Sequence, residues 1–269
     1  MSAMIALLLV LSTLAGCASE TLVNVKTAHA PPPPALVYSV EIEEFEDVLR
    51  DEDGTELAVC SYALPVLRAA REDGTPLEGE WVPEAVQTFN DQFSSWRNNA
   101  QALVRHARED HAVLGGSAVY SDELQCTVYQ TERLVSVAGV YYTYTGGAHP
   151  NTILMSWNFD LESGTFFDPG LLDEETGLAQ AVHQELIQQA EARAKENGQA
   201  VRDFYWEDYA TILENWSSYA VSFDSTGMSI GFSPYELACY AAGPQVFQIP
   251  YEELGPYLGD HGRTLLGME

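Results

Sequence analysis

The chain has 269 residues, with 40 acidic against 12 basic side chains and a formal net charge of −28. That excess of acid excludes a general nucleic-acid binder, which needs a basic stripe against the phosphates, and direct adhesion of the polypeptide to an anionic membrane surface. Hydrophobic residues make up 46%, which is ordinary globular content, so the acidity fits a solvated surface or electrostatic steering toward basic partners, and not disorder.

Met4 to Leu14 is an apolar run. It is shorter than the about 20 residues that cross a bilayer and has the length of a signal-peptide core. Leu14-Ala15-Gly16-Cys17 follows and resembles the lipobox of bacterial lipoproteins. The resemblance implies a signal peptide over 1–16 and a lipidated Cys17, although no Lys or Arg precedes the apolar run. It also implies a cell-envelope location with membrane contact through the lipid anchor only. By resemblance to the lipoprotein sorting rule, Ala18 after the cysteine implies the periplasmic face of the outer membrane where the organism has one.

Residues 17–35 hold the cysteine that the resemblance implies is lipidated, and a tether containing Pro31-Pro32-Pro33-Pro34. Proline runs stay extended at about 3.1 Å per residue. In the oxidising envelope, Cys60, Cys126 and Cys239 permit one disulfide, and the sequence leaves its pairing open.

Leu36 to Ile42 alternates like a strand, and Asp53-Gly54 marks a turn before a second strand, Leu57 to Leu64. Pro83 suits the first turn of a helix. Val86, Phe89, Phe93, Trp96, Ala100, Leu103 and Ala107 form its apolar stripe, and Gly115-Gly116 ends it. Ala118 to Tyr129, Leu134 to Tyr144 and Ile153 to Asp160 read as strands. The second is apolar or aromatic on both faces and therefore central.

A second helix is expected over Asp173 to Asn197, and a third, rich in aromatics, over Arg202 to Trp216. Ala220 to Phe223 and Met228 to Phe232 alternate again. Ser233-Pro234-Tyr235-Glu236 reads as the start of a short helix, Gln245 to Ile249 as a strand and Tyr251 to Leu258 as a last helix. Strands and helices come in blocks, which predicts an α+β fold: a mainly antiparallel sheet with helices on one face. A small N-terminal subdomain is expected over 36–116 and a larger C-terminal domain over 117–269.

Residues 141–151, Tyr-Tyr-Thr-Tyr-Thr-Gly-Gly-Ala-His-Pro-Asn, and residues 233–238, Ser-Pro-Tyr-Glu-Leu-Ala, ahead of Ile249-Pro250-Tyr251, resemble the RsiV-like envelope domain. That family of unknown function is shared with the lysozyme-binding ectodomain of RsiV-type anti-sigma factors and with PdaC-type peptidoglycan deacetylases. The resemblance covers about 117–260. It implies a wall-related partner, either a basic hydrolase of the lysozyme type or peptidoglycan.

Gly146 and Gly147 permit positive φ, and Pro150 holds His149 extended. The loop is therefore rigid, at a strand end where function tends to collect. Tyr144, Gly146, Gly147, His149 and Asn151 are the candidate ligand-binding residues, with a purely structural role for His149 and Asn151 as the competing reading. Trp206 and Tyr209 are further candidate contacts.

Catalytic signatures are sparse. There is no Gly-x-Ser-x-Gly, no His-Glu-x-x-His, no Cys-x-x-Cys and no calcium loop. His106 and His111 are five apart and do not share a helix face. Nothing points to a cofactor or a metal. A non-catalytic binding protein is the expectation. The alternatives are an envelope glycan or peptide hydrolase using His149 as general base, and a scaffold lipoprotein docking another envelope protein.

Overall fold

The computed structural model describes residues 36–114 and 118–268; within the first helix, the side chains of 97–101, 103–106 and 110–114 lie outside the description. The expected signal peptide, lipidated Cys17 and tether also lie outside it. The chain divides into two units, 1–34 and 35–269, and the second is the folded body.

The body is α+β. Six strands form one sheet in chain order: β1 (Leu36–Arg50), β2 (Glu56–Arg71), β3 (Tyr120–Gln130), β4 (Leu134–Tyr144), β5 (Asn151–Asp160) and β6 (Thr165–Phe166). All neighbours are antiparallel except β2 and β3, which run parallel. A parallel pair needs a crossover, and α1 (Glu84–Leu114) supplies it. The expected subdomain boundary at 116–117 falls outside the described residues, and the sheet joins strands from both sides of it.

β1 and β2 run past their expected ends, paired with each other from Leu36–Arg71 to Arg50–Glu56. Pro65 is tolerated in β2 because pairing with β3 ends at Ala63. Two residues on, the N–H of Leu67 points away from β1 to Asn90 Oδ1 at 2.8 Å. The missing N–H of Pro65 falls on that same open side.

The stripe on α1 buries Val86, Phe89 and Phe93 against Cys60, Leu124, Val135, Val137 and Phe159. Phe89 meets Phe159 edge-on at 5.4 Å, and Phe93 meets Trp157 at 5.0 Å. β4 is central, as expected. Gly139 in it leaves room for Trp157, whose ring lies 2.9 Å from where a Cβ would stand.

The remaining strands make a separate sheet, where a single one was expected: β7 (Ala220–Phe223), β8 (Gly227–Phe232) and β9 (Gln245–Pro250), all antiparallel. Val221, Phe223, Met228, Ile230, Phe232, Phe247 and Ile249 share a core with the buried stripe of α2 (Leu178–Glu196). Each sheet thus has its own long helix. Between the sheets lies a polar bolt: Ser136 Oγ donates to Asn158 Oδ1 at 2.8 Å and accepts from Phe223 N at 2.8 Å, while Asn158 Nδ2 donates to Val221 O at 2.8 Å.

Four expected elements differ. The second helix starts five residues late because Asp173 folds the chain ahead of it: its carboxylate accepts from the N–H groups of Thr176, Gly177 and Ala179, each at 3.1 Å. The aromatic helix breaks into α3 (Val201–Phe204) and α4 (Tyr209–Glu214). Tyr205 instead bridges to Ala238, and Trp206 N donates to Leu237 O at 3.1 Å. Ser233–Glu236 is a turn and not a helix start, with Tyr235 at φ +74°. The last expected helix is shorter, α5 (Tyr251–Leu254), and α6 (Asp260–Leu266) follows it.

Cys60 and Cys126 are buried thiols and Cys239 an exposed one; the three form no disulfide. Register keeps the two buried thiols apart: Cys60 stands opposite Asp122, and Cys126 opposite Gly139.

Candidate functional site

The 145–149 loop between β4 and β5 is exposed. Gly146 and Gly147 sit at φ +82° and +124°, a region that favours glycine. Tyr144 closes the loop by donating its hydroxyl to Gly147 O at 3.1 Å. Asn151 is the exposed first residue of β5 and pairs with Thr143 in the ladder. These residues shape the loop and present His149.

His149 stacks on Tyr240, with ring centroids 3.9 Å apart and planes 26° from parallel. Its Nδ1 lies 2.9 Å from Pro150 O. A carbonyl oxygen only accepts, so that contact places a proton on Nδ1. The Tyr240 hydroxyl donates to the same carbonyl at 3.0 Å. A third ring completes the cluster: Tyr235 lies 5.7 Å from Tyr240 and 6.4 Å from His149.

Tyr235 is 55% exposed. A bulky residue with positive φ is an outlier that costs about 1–2 kcal/mol. The surrounding turn holds it there. Ser233 N donates to the Glu236 carboxylate, Tyr235 N donates to Ala238 O at 3.0 Å, and Trp206 Nε1 donates to Tyr235 O at 3.0 Å. Tyr235 is thereby fixed outward, with partly exposed Trp206 alongside. Glu207, Asp208 and Glu236, all exposed, adjoin these rings in the chain.

The sequence motifs around His149 and Tyr235, more than 80 residues apart, therefore form one surface. Tyr235 and Tyr240 were not singled out as contacts from sequence. Their signal in the sequence is the Ser-Pro-Tyr-Glu segment, whose pattern predicts a helix start.

Tyrosines and histidines elsewhere have structural roles. Tyr141 points inward: its hydroxyl donates to Asp122 Oδ2 at 2.9 Å, and that of Tyr62 to Oδ1 at 2.8 Å. Burial, then this carboxylate, pushes the Tyr141 phenol up to about 12 and Tyr62 further still. Tyr209 stacks on buried Tyr205 at 6.0 Å. His183 Nε2 lies 3.1 Å from Ala210 O and ties α2 to α4. His106 and His111 carry side chains outside the described residues. Among the described residues no cluster of three or more His, Cys, Asp or Glu forms a metal-binding group, and no helix is long and apolar enough to cross a membrane.

Residues 165–252 match the model of a family described as a protein of unknown function, DUF3298. The matched span holds the Tyr235 turn and β9 but not the His149 loop. A solved member of that family from Bacteroides fragilis is 16% identical, with a TM-score of 0.56 over 85% of this chain and 96% of its own. That likeness extends the shared fold beyond the matched domain. A DUF3298 family protein from Pseudomonas aeruginosa is 19% identical, with a TM-score of 0.47 over 83% of this chain and 95% of its own. No curated protein matches the chain significantly.

Proposed function

We propose that this chain is a non-catalytic, lipid-anchored envelope protein that binds a basic, wall-related protein of the lysozyme-hydrolase type. The observation that carries it is the ring cluster of His149, Tyr240 and Tyr235, held outward on an acidic surface. Exposed aromatic faces take up cationic side chains, and aromatic anchors dominate interface energies. The charge of −28 steers a basic partner toward such a surface. The neighbours of His149 are a carbonyl and two phenols. That set supports recognition rather than general-base chemistry, which needs a hydrogen-bonded nucleophile or water and an orienting group.

The test is a calorimetric titration of the purified protein with lysozyme at about 50 mM and about 300 mM salt, since screening separates steering from contact. Micromolar binding that survives the higher salt, and weakens about thirtyfold in Tyr240→Ala, is expected of a hot spot. Heat that disappears at high salt would reduce the interaction to generic acid–base attraction. No heat at either salt would overturn the proposal.

A further inference from the structure

The two sheets leave a second feature, at the other end of β8 from the ring cluster. Beyond the Ser136–Asn158 bolt, the facing surfaces do not close. They bound a cleft of about 380 Å³ lined in part by Thr127, Tyr129, Ser222, Asp224, Ser225 and Ser229. Packed sheets ordinarily fill this space with interdigitating apolar side chains. Here Ser136, Ser222 and Ser229 take buried or half-buried positions beside Ala138 and Phe223, with Thr127 and Ser225 exposed at the mouth, which forgoes apolar burial.

The hydroxyls of Thr127, Ser222, Ser225 and Ser229 have no hydrogen-bond partner among the described residues, and neither does the phenol of Tyr129. They are neither burrowed into the bolt nor spent on turns, whereas the neighbouring Asp224 is fully engaged. Its Oδ1 accepts from the N–H groups of Thr226 and Gly227 at 2.6 and 3.1 Å, and its Oδ2 from Gln248 Nε2 at 3.0 Å. Those bonds hold its carboxyl below the usual range against the opposing effect of burial. The cleft therefore has a fixed negative rim and no lining cation, which disfavours phosphates and other anions. Its convergent hydroxyls disfavour an apolar ligand.

We propose that this cleft is a binding site for a neutral saccharide. Unpartnered hydroxyls pair with sugar hydroxyls as both donors and acceptors, and half-buried Tyr129, packed against the core, adds an aromatic side chain to the lining. A cleft of this volume falls within the size of small-ligand sites. The site is independent of the ring cluster: it uses Ser136 and the β7–β8 turn, whereas the cluster uses the β4–β5 and β8–β9 connections.

The test titrates the full-length protein in detergent with the N-acetylglucosamine trimer, followed by calorimetry. Saturable millimolar or tighter binding is expected. Ser222→Ala and Ser229→Ala each delete a hydroxyl with no protein partner, so the thermal midpoint should hold while affinity falls about three- to tenfold, the worth of one hydrogen bond. Ser229→Phe, which fills the cleft, should abolish binding, and His149→Ala should leave it unchanged. Absence of saturable binding overturns the proposal. So does binding that ignores the serine variants or is lost in His149→Ala, which would move the sugar to the ring cluster.

Discussion

Asp122 is the sharpest place to test how the core of the six-stranded sheet is held. It is 7% exposed and accepts from two phenols, Tyr62 at 2.8 Å and Tyr141 at 2.9 Å. Asp122→Leu keeps the branched shape of the side chain but removes the carboxylate that both hydroxyls share as their acceptor. A buried hydroxyl stranded in this way costs about 1–3 kcal/mol. Tyr62, at 1% exposure, keeps only the weak sulfur acceptor of Cys60 and carries nearly the full penalty. Tyr141 is only half-buried and recovers part of its loss from water. The expected cost is thus about 2–4 kcal/mol, the sum of one full and one partial penalty. Replacing all partners together behaves differently, because no polar group is then left stranded. The triple variant Asp122→Leu, Tyr62→Phe, Tyr141→Phe should return most of the lost stability. Equilibrium urea unfolding followed by tryptophan fluorescence measures this, with Trp96 as the local probe, 6.2 Å from Tyr62 and 5.0 Å from Tyr141. A triple variant no more stable than Asp122→Leu would refute the reasoning.

Two further outcomes follow from the same geometry. Tyr235→Gly removes the cost of a bulky side chain at φ +74°; the thermal midpoint should hold or rise while lysozyme affinity falls, and a marked loss of stability would count against the turn being strained. In alkali, burial raises the Cys60 thiol from its ordinary 9.0 to about 11 and that of Cys126 to about 12. Both groups are neutral when protonated, so the folded state holds these protons more tightly than the unfolded chain. Their stabilising contribution is complete below pH 9.0 and is lost as the pH rises toward about 12. Urea midpoints should fall steadily across that window, and a flat profile would contradict the assigned burial.

Much of the fold is legible in local patterns. The stripe from Val86 to Trp96 specifies a helix with one apolar face, and the two-sided apolarity of Leu134 to Tyr144 specifies a central strand. Both rest on periodicity, which depends only on neighbouring residues. Asp53-Gly54 likewise sets its own turn, with Gly54 at φ +85°. The aromatic segment failed for the opposite reason. Its helical pattern over 202–216 is overridden at Tyr205 and Trp206 by backbone bonds to Ala238 and Leu237, partners some thirty residues away. The late start of α2 is an intermediate case: Asp173 was visible, but its choice of capping turn over helix depends on which N–H groups reach its carboxylate.

The candidate site divides along the same line. Gly146, Gly147 and Pro150 declare a rigid exposed loop by themselves, because positive φ and the restriction before proline are properties of single residues. The sequence by itself thus determined the acidic surface, the α+β class and a loop that presents His149. Only the tertiary structure decided that the strands split into two sheets, and that this split carries Tyr240 to within 3.9 Å of His149 while leaving a hydroxylated cleft between Ser136 and Ser229. Those outcomes depend on packing between distant segments, where no residue's own conformational preference reaches.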